Sequence, residues 1–259
     1  SLWSIAMSRN LPLDTLFLIN PTLNPNRLQI GQTIQVPLRI TWRLVNGKQN
    51  YTYEVMMNDI QRLQTVYPFL QVSSIGNSVL NRSIPEVLIG IGDKRVAYNG
   101  SFHANEWITT PTIMTFLNDY ALSLTNQTTI RGLITSPLYE QTSLSIVPMV
   151  NPDGVNLVLN GPPELEPYRS NVIQWNNNSL DFSGWKANIN GVDLNDQFPA
   201  QWEKERDRNP QTPGPRDYGG ESPLSQPESI AMADLTRRRD FARVIASHTQ
   251  GEVIYWGVE

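Results

Sequence analysis

Apolar side chains recur at helical spacing in the first half of the chain. Over residues 53–67 they lie three or four positions apart, and Pro68 ends the pattern. The same spacing recurs over residues 113–124, with Pro111 at the first turn, where proline is well tolerated. Both segments are therefore predicted to form amphipathic helices that turn one face to a core.

Shorter apolar runs between and after these helices predict strands. Residues 86–91 and 94–99 flank a Gly-Asp pair, a pattern typical of a β-hairpin. Residues 143–150 and 241–246 are apolar runs, as expected of buried central strands. Because strands alternate with helices, we predict an α/β domain with a mixed sheet flanked by helices.

A third helix is predicted to begin at Pro227. Ser225 and Glu228 are spaced three residues apart, as in a capping box, in which each side chain caps a backbone N–H of the first turn. The apolar pattern continues to about Arg238. This helix leads directly into the last predicted strand.

Three predicted strands are each followed by a polar side chain that can take part in chemistry. His103 follows residues 94–99, Asn151 follows residues 143–150, and His248 follows the last strand. In open α/β sheets, functional sites lie beyond the carboxyl ends of the strands. We therefore expect these side chains to meet at one edge of the sheet.

The front of the chain reads as a small separate unit over residues 1–38. It begins with two short helices, continues through an Asn/Pro-rich turn and ends in a predicted strand over residues 33–37. Residues 39–50 are predicted to be a linker, and residues 51–259 form the large α/β domain. The chain is long enough for one sizeable domain and a small one.

Composition excludes several classes of function. The net charge is −4, and no basic stripe is present to neutralise the phosphates of a nucleic acid. No apolar run approaches the length of a membrane span. The chain has no cysteine, which excludes disulfides and thiolate ligands, but it has two histidines, His103 and His248.

His103 and Glu106 lie three residues apart at a predicted strand-to-helix turn, where both can reach one ion. Catalytic zinc sites use three protein ligands, and two histidines with one glutamate are a known set. His248 is the remaining histidine that could complete it. The alternative is ordinary: a His-x-x-Glu pattern arises often by chance, and a histidine after a strand is commonly a hydrogen-bonded core residue.

Several ordered motifs bear on the choice between these alternatives. They are residues 75–78 with 82–85, residues 99–107, Asn151-Pro152-Asp153-Gly154, Gly191-Val192-Asp193-Leu194-Asn195 and Ser247-His248. With these motifs in this order, the chain from Tyr51 onward resembles the carboxypeptidase A-like zinc peptidase family. The resemblance implies that His103, Glu106 and His248 bind one Zn²⁺ per chain, and that Asp193 orients His103. Otherwise Asp193 is a turn-capping aspartate.

The resemblance also implies roles for three residues of the substrate loops. Lys186 stands where the family usually has an arginine that stabilises an oxyanion, and Asn195 would hold a polar group of the substrate. Typical carboxypeptidases have an arginine after that asparagine, whereas this chain has Asp196, which would repel a free C-terminus and favour an ammonium group. The alternative for Lys186 and Asp196 is a solvent-facing side chain.

The front unit has four characteristic stretches, at residues 1–6, 16–20, 24–28 and 30–34. With these stretches, residues 1–38 resemble a LysM module, a small α+β unit that binds N-acetylglucosamine-containing glycans, and the module's first strand would precede Ser1. Together the two resemblances point to the γ-D-glutamyl-meso-diaminopimelate peptidase branch. That branch cleaves the bond between γ-D-glutamate and meso-diaminopimelate in peptidoglycan stem peptides.

Two alternatives to this function remain: a zinc carboxypeptidase of ordinary peptides, and a wall-binding protein with an inert peptidase domain. The family's water-activating glutamate lies well beyond His248, and neither Glu252 nor Glu259 matches it. We therefore expect an incomplete catalytic domain with little or no activity. The expected partners are peptidoglycan glycan and stem peptide, with the protein a monomer in the bacterial cell wall or extracellular space, or in a spore-related compartment.

Overall fold

The computed structural model describes residues 1–256, whose centre is a five-stranded mixed sheet. The strands of this sheet lie in the order β1-β2-β6-β3-β7. In chain order, the strands are β1 (Gln71–Asn77), β2 (Ser83–Ile89), β3 (Lys94–Asn99), β4 (Thr129–Ile130), β5 (Leu133–Ile134), β6 (Thr142–Val147) and β7 (Arg243–Ala246). Strands β4 and β5 form a separate short antiparallel pair.

Nine α-helices accompany these strands in the part of the chain that the structure describes. They are α1 (Leu2–Arg9), α2 (Leu13–Ile19), α3 (Tyr53–Val66), α4 (Thr109–Asn126), α5 (Ser136–Gln141), α6 (Pro152–Asn160), α7 (Tyr168–Trp175), α8 (Trp202–Arg206) and α9 (Pro227–Arg239). Helices α1 to α4 agree with the sequence-based expectation. None of the helices in residues 1–256 has both the length and the apolar character needed to cross a membrane.

The directions of the strands bring three carboxyl ends to one edge of the sheet. Strand β3 runs parallel to both β6 and β7, with Asn99 opposite Val147 on one side and Ala246 on the other. Strands β1 and β2 pair antiparallel, and β2 pairs antiparallel with β6. The prediction of a mixed sheet with a shared carboxyl edge is therefore confirmed.

The predicted hairpin between β2 and β3 is wrong, because β6 lies between them. The turn after β2 pairs with the chain that enters β6: Ile91 N–H donates to Tyr139 O (2.8 Å) and Gly92 N–H to Thr142 O (3.2 Å). Gly90 permits this close crossing, since its φ is +104° and a Cβ there would lie 2.1 Å from Thr142 O. The Gly-rich turn is therefore the place where the segment after β2 crosses the segment that leads into β6.

Two other segments differ from their predictions. Residues 33–37 are not a strand; instead the Asn20 side chain bonds both the N–H and the C=O of Gln35, at 2.8 and 2.9 Å, as a neighbouring strand would. Strand β7 begins at Arg243 and is exposed rather than buried, because it is the edge of the sheet in residues 1–256.

The predicted capping box at α9 does not form. The N-cap is Gln226, without a side-chain cap hydrogen bond. The Ser225 hydroxyl bonds the side chain of Gln197 instead, and the Glu228 carboxylate accepts from Val79 N–H. Both side chains therefore form long-range hydrogen bonds instead of capping the helix.

One apolar cluster joins the front unit to the α/β domain. Ala6, Leu16 and Ile19 share it with buried residues of α3, α4 and β6. The Thr15 hydroxyl adds a buried hydrogen bond to Leu124 O at 2.9 Å. The segment between the two units, residues 39–50, has no regular secondary structure, yet Val45 is buried against the same cluster.

Candidate metal centre

A strained turn after β3 aims two candidate ligands at one point. Ser101 is buried and left-handed (φ 51°), and its N–H donates to Thr109 Oγ1 at 2.8 Å. The same hydroxyl donates to Glu106 O at 2.9 Å, so Thr109 ties both ends of the turn together. A Cβ at Gly100 would lie 2.8 Å from that hydroxyl, which leaves room only for glycine. His103 then precedes a 3₁₀ turn that ends at Glu106.

The third candidate ligand arrives from the neighbouring strand. Since Ala246 is in register with Asn99, Ser247 N–H donates to Asn99 O at 2.9 Å, which continues the ladder toward the carboxyl edge. His248 follows at once, and its ring centroid lies 4.9 Å from that of His103. Parallel pairing of β3 and β7 therefore brings together residues that are 145 positions apart, since 248 − 103 is 145.

Three side chains converge in a group that can hold a metal ion. One Glu106 oxygen, Oε2, lies 2.7 Å from His248 Nδ1 and 3.3 Å from His103 Nδ1. The candidate ligand atoms of the three residues all lie within 4.8 Å of one another. His103 and Glu106 are buried, whereas His248 is at the exposed rim.

Electrostatics favours a cation at this point. Burial lowers the pKa of His103, but the carboxylates of Asp193 and Glu106 outweigh burial and raise it to about 9. Burial raises the pKa of Glu106, but the two histidines outweigh burial and lower it to about 2. The carboxylates of Glu106 and Asp193 therefore lie on two sides of the His103 ring. The four side chains, these two carboxylates with His103 and His248, have a net negative charge when both imidazoles are neutral.

The donor set fits zinc. His103 Nδ1 and Glu106 Oε1 are buried and make no hydrogen bond with any of residues 1–256. Buried polar atoms without a partner are rare, and a bound ion is one of their ordinary explanations. Two imidazole nitrogens and one carboxylate, with one ligand open toward solvent, match the composition of catalytic zinc sites.

Asp193 contacts the far side of the His103 ring. Its Oδ1 lies 3.3 Å from His103 Nε2 and accepts from Asn195 N–H at 3.1 Å, and its Oδ2 accepts from Asp217 N–H at 3.2 Å. Burial raises the pKa of Asp193, but His103 and these N–H groups outweigh burial and lower it. A carboxylate at Nε2 leaves Nδ1 as the nitrogen that faces Glu106.

Lys186 lies beside the ligand turn and is 9 % exposed. Its carbonyl accepts from Ala104 N–H at 2.9 Å, and its own N–H donates to Pro215 O at 2.8 Å. The backbone of Lys186 therefore connects the His103 turn to the loop that contains Asp217. The alternative of a fully solvated surface lysine does not match this burial.

Asn195 and Asp196 lie on the 3₁₀ turn after Asp193. Asn195 is exposed, and Asp196 is partly buried and accepts from Asn209 Nδ2 at 3.2 Å. Burial, and next the negative charges of Asp193, Asp217 and Glu205, raise the pKa of Asp196 to about 6. No arginine pairs with Asp196 in residues 1–256.

Sequence reasoning missed the residues that shape the site without binding a ligand. The sequence pattern predicted no role for Thr109 or for the loop around Asp217. A threonine three residues after Glu106 is the one signal that could have indicated the turn. Glu252 is exposed, and Glu259 lies outside the described residues.

Family comparisons agree with the two resemblances. A zinc carboxypeptidase (peptidase M14) model matches residues 56–259, and a LysM domain model matches residues 1–37. The gamma-D-glutamyl-L-diamino acid endopeptidase 1 of Lysinibacillus sphaericus is 72 % identical, over all of this chain and 78 % of its own length. The uncharacterized protein YqgT of Bacillus subtilis strain 168 is 44 % identical, over 87 % of this chain and 60 % of its own length.

Solved structures share the fold. Carboxypeptidase A from Helicoverpa armigera has a TM-score of 0.54 at 21 % identity, over 80 % of this chain and 47 % of its own. Bovine thrombin-activatable fibrinolysis inhibitor has a TM-score of 0.56 at 19 % identity, over 78 % of this chain and 62 % of its own. The chain thus spans about half to two thirds of these structures. On the family match and the L. sphaericus relative, the chain belongs to the zinc carboxypeptidase family, with a LysM domain at its front.

Proposed function

We propose that this protein is a zinc-dependent peptidase of peptidoglycan stem peptides, which hydrolyses the γ-D-glutamyl–meso-diaminopimelate bond. The observation that carries the proposal is the convergence of His103, Glu106 and His248 at the carboxyl edge of the sheet. The L. sphaericus relative, which is named a gamma-D-glutamyl-L-diamino acid endopeptidase, supports the substrate class.

In this proposal the three converging residues are the zinc ligands. Zinc, when bound, supplies a Lewis acid that polarises a carbonyl and makes water a nucleophile near neutral pH. Asp193 accepts a hydrogen bond from His103 Nε2–H, which keeps the proton on Nε2 and leaves Nδ1 free for the ion. Glu106 remains ionised over the physiological range because its pKa is about 2.

Lys186 is proposed to stabilise the developing oxyanion. Its burial beside the His103 turn and its two backbone hydrogen bonds hold the base of the side chain in place. Because an ammonium is a compact point charge, it stabilises an oxyanion with less directional control than the arginine found in most of the family.

Asp196 and Asn195 are proposed to select the substrate. Burial raises the pKa of Asp196, and the negative charges of Asp193, Asp217 and Glu205 raise it further, so this side of the site is anionic. An anionic rim disfavours a free carboxylate beside the scissile bond and favours an ammonium, such as that of a diamino acid. Exposed Asn195 lies next to it and is free to bind a polar substrate group.

The domain division belongs to the same proposal: a glycan-binding module over residues 1–38, a connecting segment over 39–50 and a catalytic domain over 51–259. The LysM module would bind the glycan while the catalytic domain takes the attached stem peptide. Such a protein would act as a monomer in the cell wall or extracellular space. A spore-related compartment, which also contains peptidoglycan, is the alternative.

The test compares two peptides on the zinc-loaded protein. One contains γ-D-glutamyl–meso-diaminopimelate, and the other is an ordinary peptide that ends in a bulky L-residue. Dissociation constants measured before cleavage separate recognition from turnover. We expect the diaminopimelate peptide to bind at least tenfold more tightly, and Asp196→Asn to reduce this preference.

Preference for the ordinary peptide would contradict the proposal and support a general carboxypeptidase. Retention on purified peptidoglycan without preference for either peptide would support the wall-binding alternative. Glu164→Gln is a matched control, because Glu164 is an exposed carboxylate that pairs with Arg169 and not with a candidate ligand or Asp196. This variant should bind both peptides as the parent does.

A further inference from the structure

Gln197 is a fully buried amide at the end of the 3₁₀ turn that begins after Asp193. Its oxygen accepts from two backbone N–H groups, Ser225 N at 2.7 Å and Gln226 N at 3.0 Å. The same oxygen is within hydrogen-bond distance of the Ser225 and Ser229 hydroxyls, at 3.1 and 3.2 Å. Both lone pairs are therefore occupied, and no charge is involved.

The nitrogen of the same amide reaches the other end of that loop. Gln197 Nε2 donates to Gly219 O and to Ser222 O, the latter at 3.2 Å. This one side chain thus forms hydrogen bonds with five residues between 219 and 229, namely Gly219, Ser222, Ser225, Gln226 and Ser229. Buried amides with complete hydrogen bonding are rigid, because each bond would be costly to leave unmade.

The loop is built to admit this amide. A Cβ at Gly220 would lie 2.6 Å from Gln197 Nε2, and φ there is +83°. A Cβ at Gly219 would lie 3.0 Å from Asp196 O. Two consecutive glycines therefore let the loop backbone approach the turn more closely than other residues would allow.

The start of the same loop holds Asp193. Asp217 N–H donates to Asp193 Oδ2 at 3.2 Å, and Asp193 N–H donates to Tyr218 O at 2.8 Å. The turn from Asp193 to Gln197 is therefore fixed to the loop at both of its ends. Asp193, at the first end of the turn, contacts His103 directly, whereas Gln197, at the last, bonds the loop.

We propose that Gln197 is a positioning residue for the metal centre, acting through the loop on Asp193 and hence on His103. Without the amide, residues 219–229 lose their common anchor, and the Asp217 N–H is no longer held against Asp193. Asp193 then loses a donor that keeps it beside His103 Nε2. This inference rests on the zinc role assigned under the proposed function, but not on the identity of the substrate.

Zinc affinity of the holoprotein tests the inference, measured by competition with a chelator well below the unfolding temperature. Loss of an outer partner of a metal ligand typically weakens metal affinity 10- to 100-fold. We expect about tenfold weaker binding in Gln197→Leu. Hydrogen exchange at Asp217 N–H should also become faster in this variant. Gln197→Glu keeps the accepting oxygen, and its carboxyl in the protonated form also keeps a donor toward the carbonyls of Gly219 and Ser222, so we expect a smaller loss of zinc affinity than in Gln197→Leu.

The matched control is Asn118→Leu. Asn118 is also a fully buried amide, and its oxygen accepts from Leu44 N–H and Val45 N–H, which belong to the segment between the two units and not to the loops of the metal centre. This variant should lose stability while its zinc affinity stays that of the parent. Equal zinc affinity in parent and Gln197→Leu, or equal loss in both leucine variants, would overturn the inference.

Failure of the proposed function would look different. If zinc affinity and Asp217 exchange respond to Gln197 while neither test peptide is preferred, the positioning role stands and the substrate assignment fails. If the diaminopimelate peptide is preferred while Gln197→Leu leaves both readouts unchanged, the substrate assignment stands and the positioning role fails.

Discussion

The buried carboxyl of Glu228 has a pKa well above that of an ordinary glutamate. Its Oε1 accepts from Val79 N–H at 3.1 Å and its Oε2 from Asn188 Nδ2 at 3.3 Å. Burial raises the pKa of Glu228 to about 7, with a smaller contribution from the charge of Asp153, which is itself paired with Arg82. The carboxyl therefore takes up a proton near neutral pH when the protein is folded.

This raised pKa predicts a loss of stability at higher pH. Between the ordinary value of 4.5 and about 7, the folded state binds more protons than the unfolded state, so the free energy of unfolding falls as pH rises. The difference corresponds to about 3 kcal/mol. Urea unfolding at pH 5 and pH 8 should show that Glu228→Gln removes most of this contribution. Glu140→Gln, at an exposed glutamate, should leave it intact.

The candidate metal ligands were the part of the site that could best be predicted from the sequence. With two histidines in the chain, His103 and His248 were the imidazole ligands available, and their positions after strands predicted convergence. Glu228 could not be assigned in the same way. Its spacing from Ser225 indicated a helix cap, and only the tertiary structure showed that Val79 and Gln197 take these side chains instead.

At the scale of elements, the order of strands was harder to predict than their existence. A Gly-Asp turn between two apolar runs is the usual sign of a hairpin. Here the backbone hydrogen bonds of the turn go to Tyr139 and Thr142, and β6 enters between β2 and β3. Nothing in the local pattern distinguishes a turn that pairs its own strands from one that another segment crosses.

Gly90 makes that crossing possible, which gives a second prediction. A Cβ at this position would meet Thr142 O at 2.1 Å, and φ is +104°. Gly90→Ala should therefore lower the free energy of unfolding by about 3 kcal/mol or prevent folding. Gly184→Ala is the control, since nothing lies within 4 Å of a Cβ there, and it should stay within about 0.5 kcal/mol of the parent. Similar losses in both variants would contradict this account of the crossing.

At the scale of the whole molecule, the LysM and catalytic domains share one core. Ala6, Leu16 and Ile19 pack in the same apolar cluster as α3 and α4, and Arg39 donates to Asn126 and to Asn10 O. Sequence patterns predicted two units but gave no sign of this contact. Contacts between units depend on surface shape, which hydrophobic periodicity does not encode.

The shared core predicts that both domains unfold together. Calorimetry should give a single transition, and Thr15→Val should lower its midpoint, because the buried bond to Leu124 O is worth about 1 kcal/mol. Thr65→Val removes a matched hydroxyl that bonds Gln61 O on an exposed helix face, and we expect a smaller effect. Two separate transitions in the parent would contradict the single core.

If His103, Glu106 and His248 bind one zinc ion together, the zinc content of the purified protein depends on each of them. The parent, His103→Ala and His248→Ala would be purified with zinc, dialysed and analysed for metal, with circular dichroism to verify folding. We predict about one zinc per chain in the parent and none in either variant, because each loses one of three ligands. A folded parent without zinc, or a His248→Ala variant that keeps a full equivalent, would contradict the account.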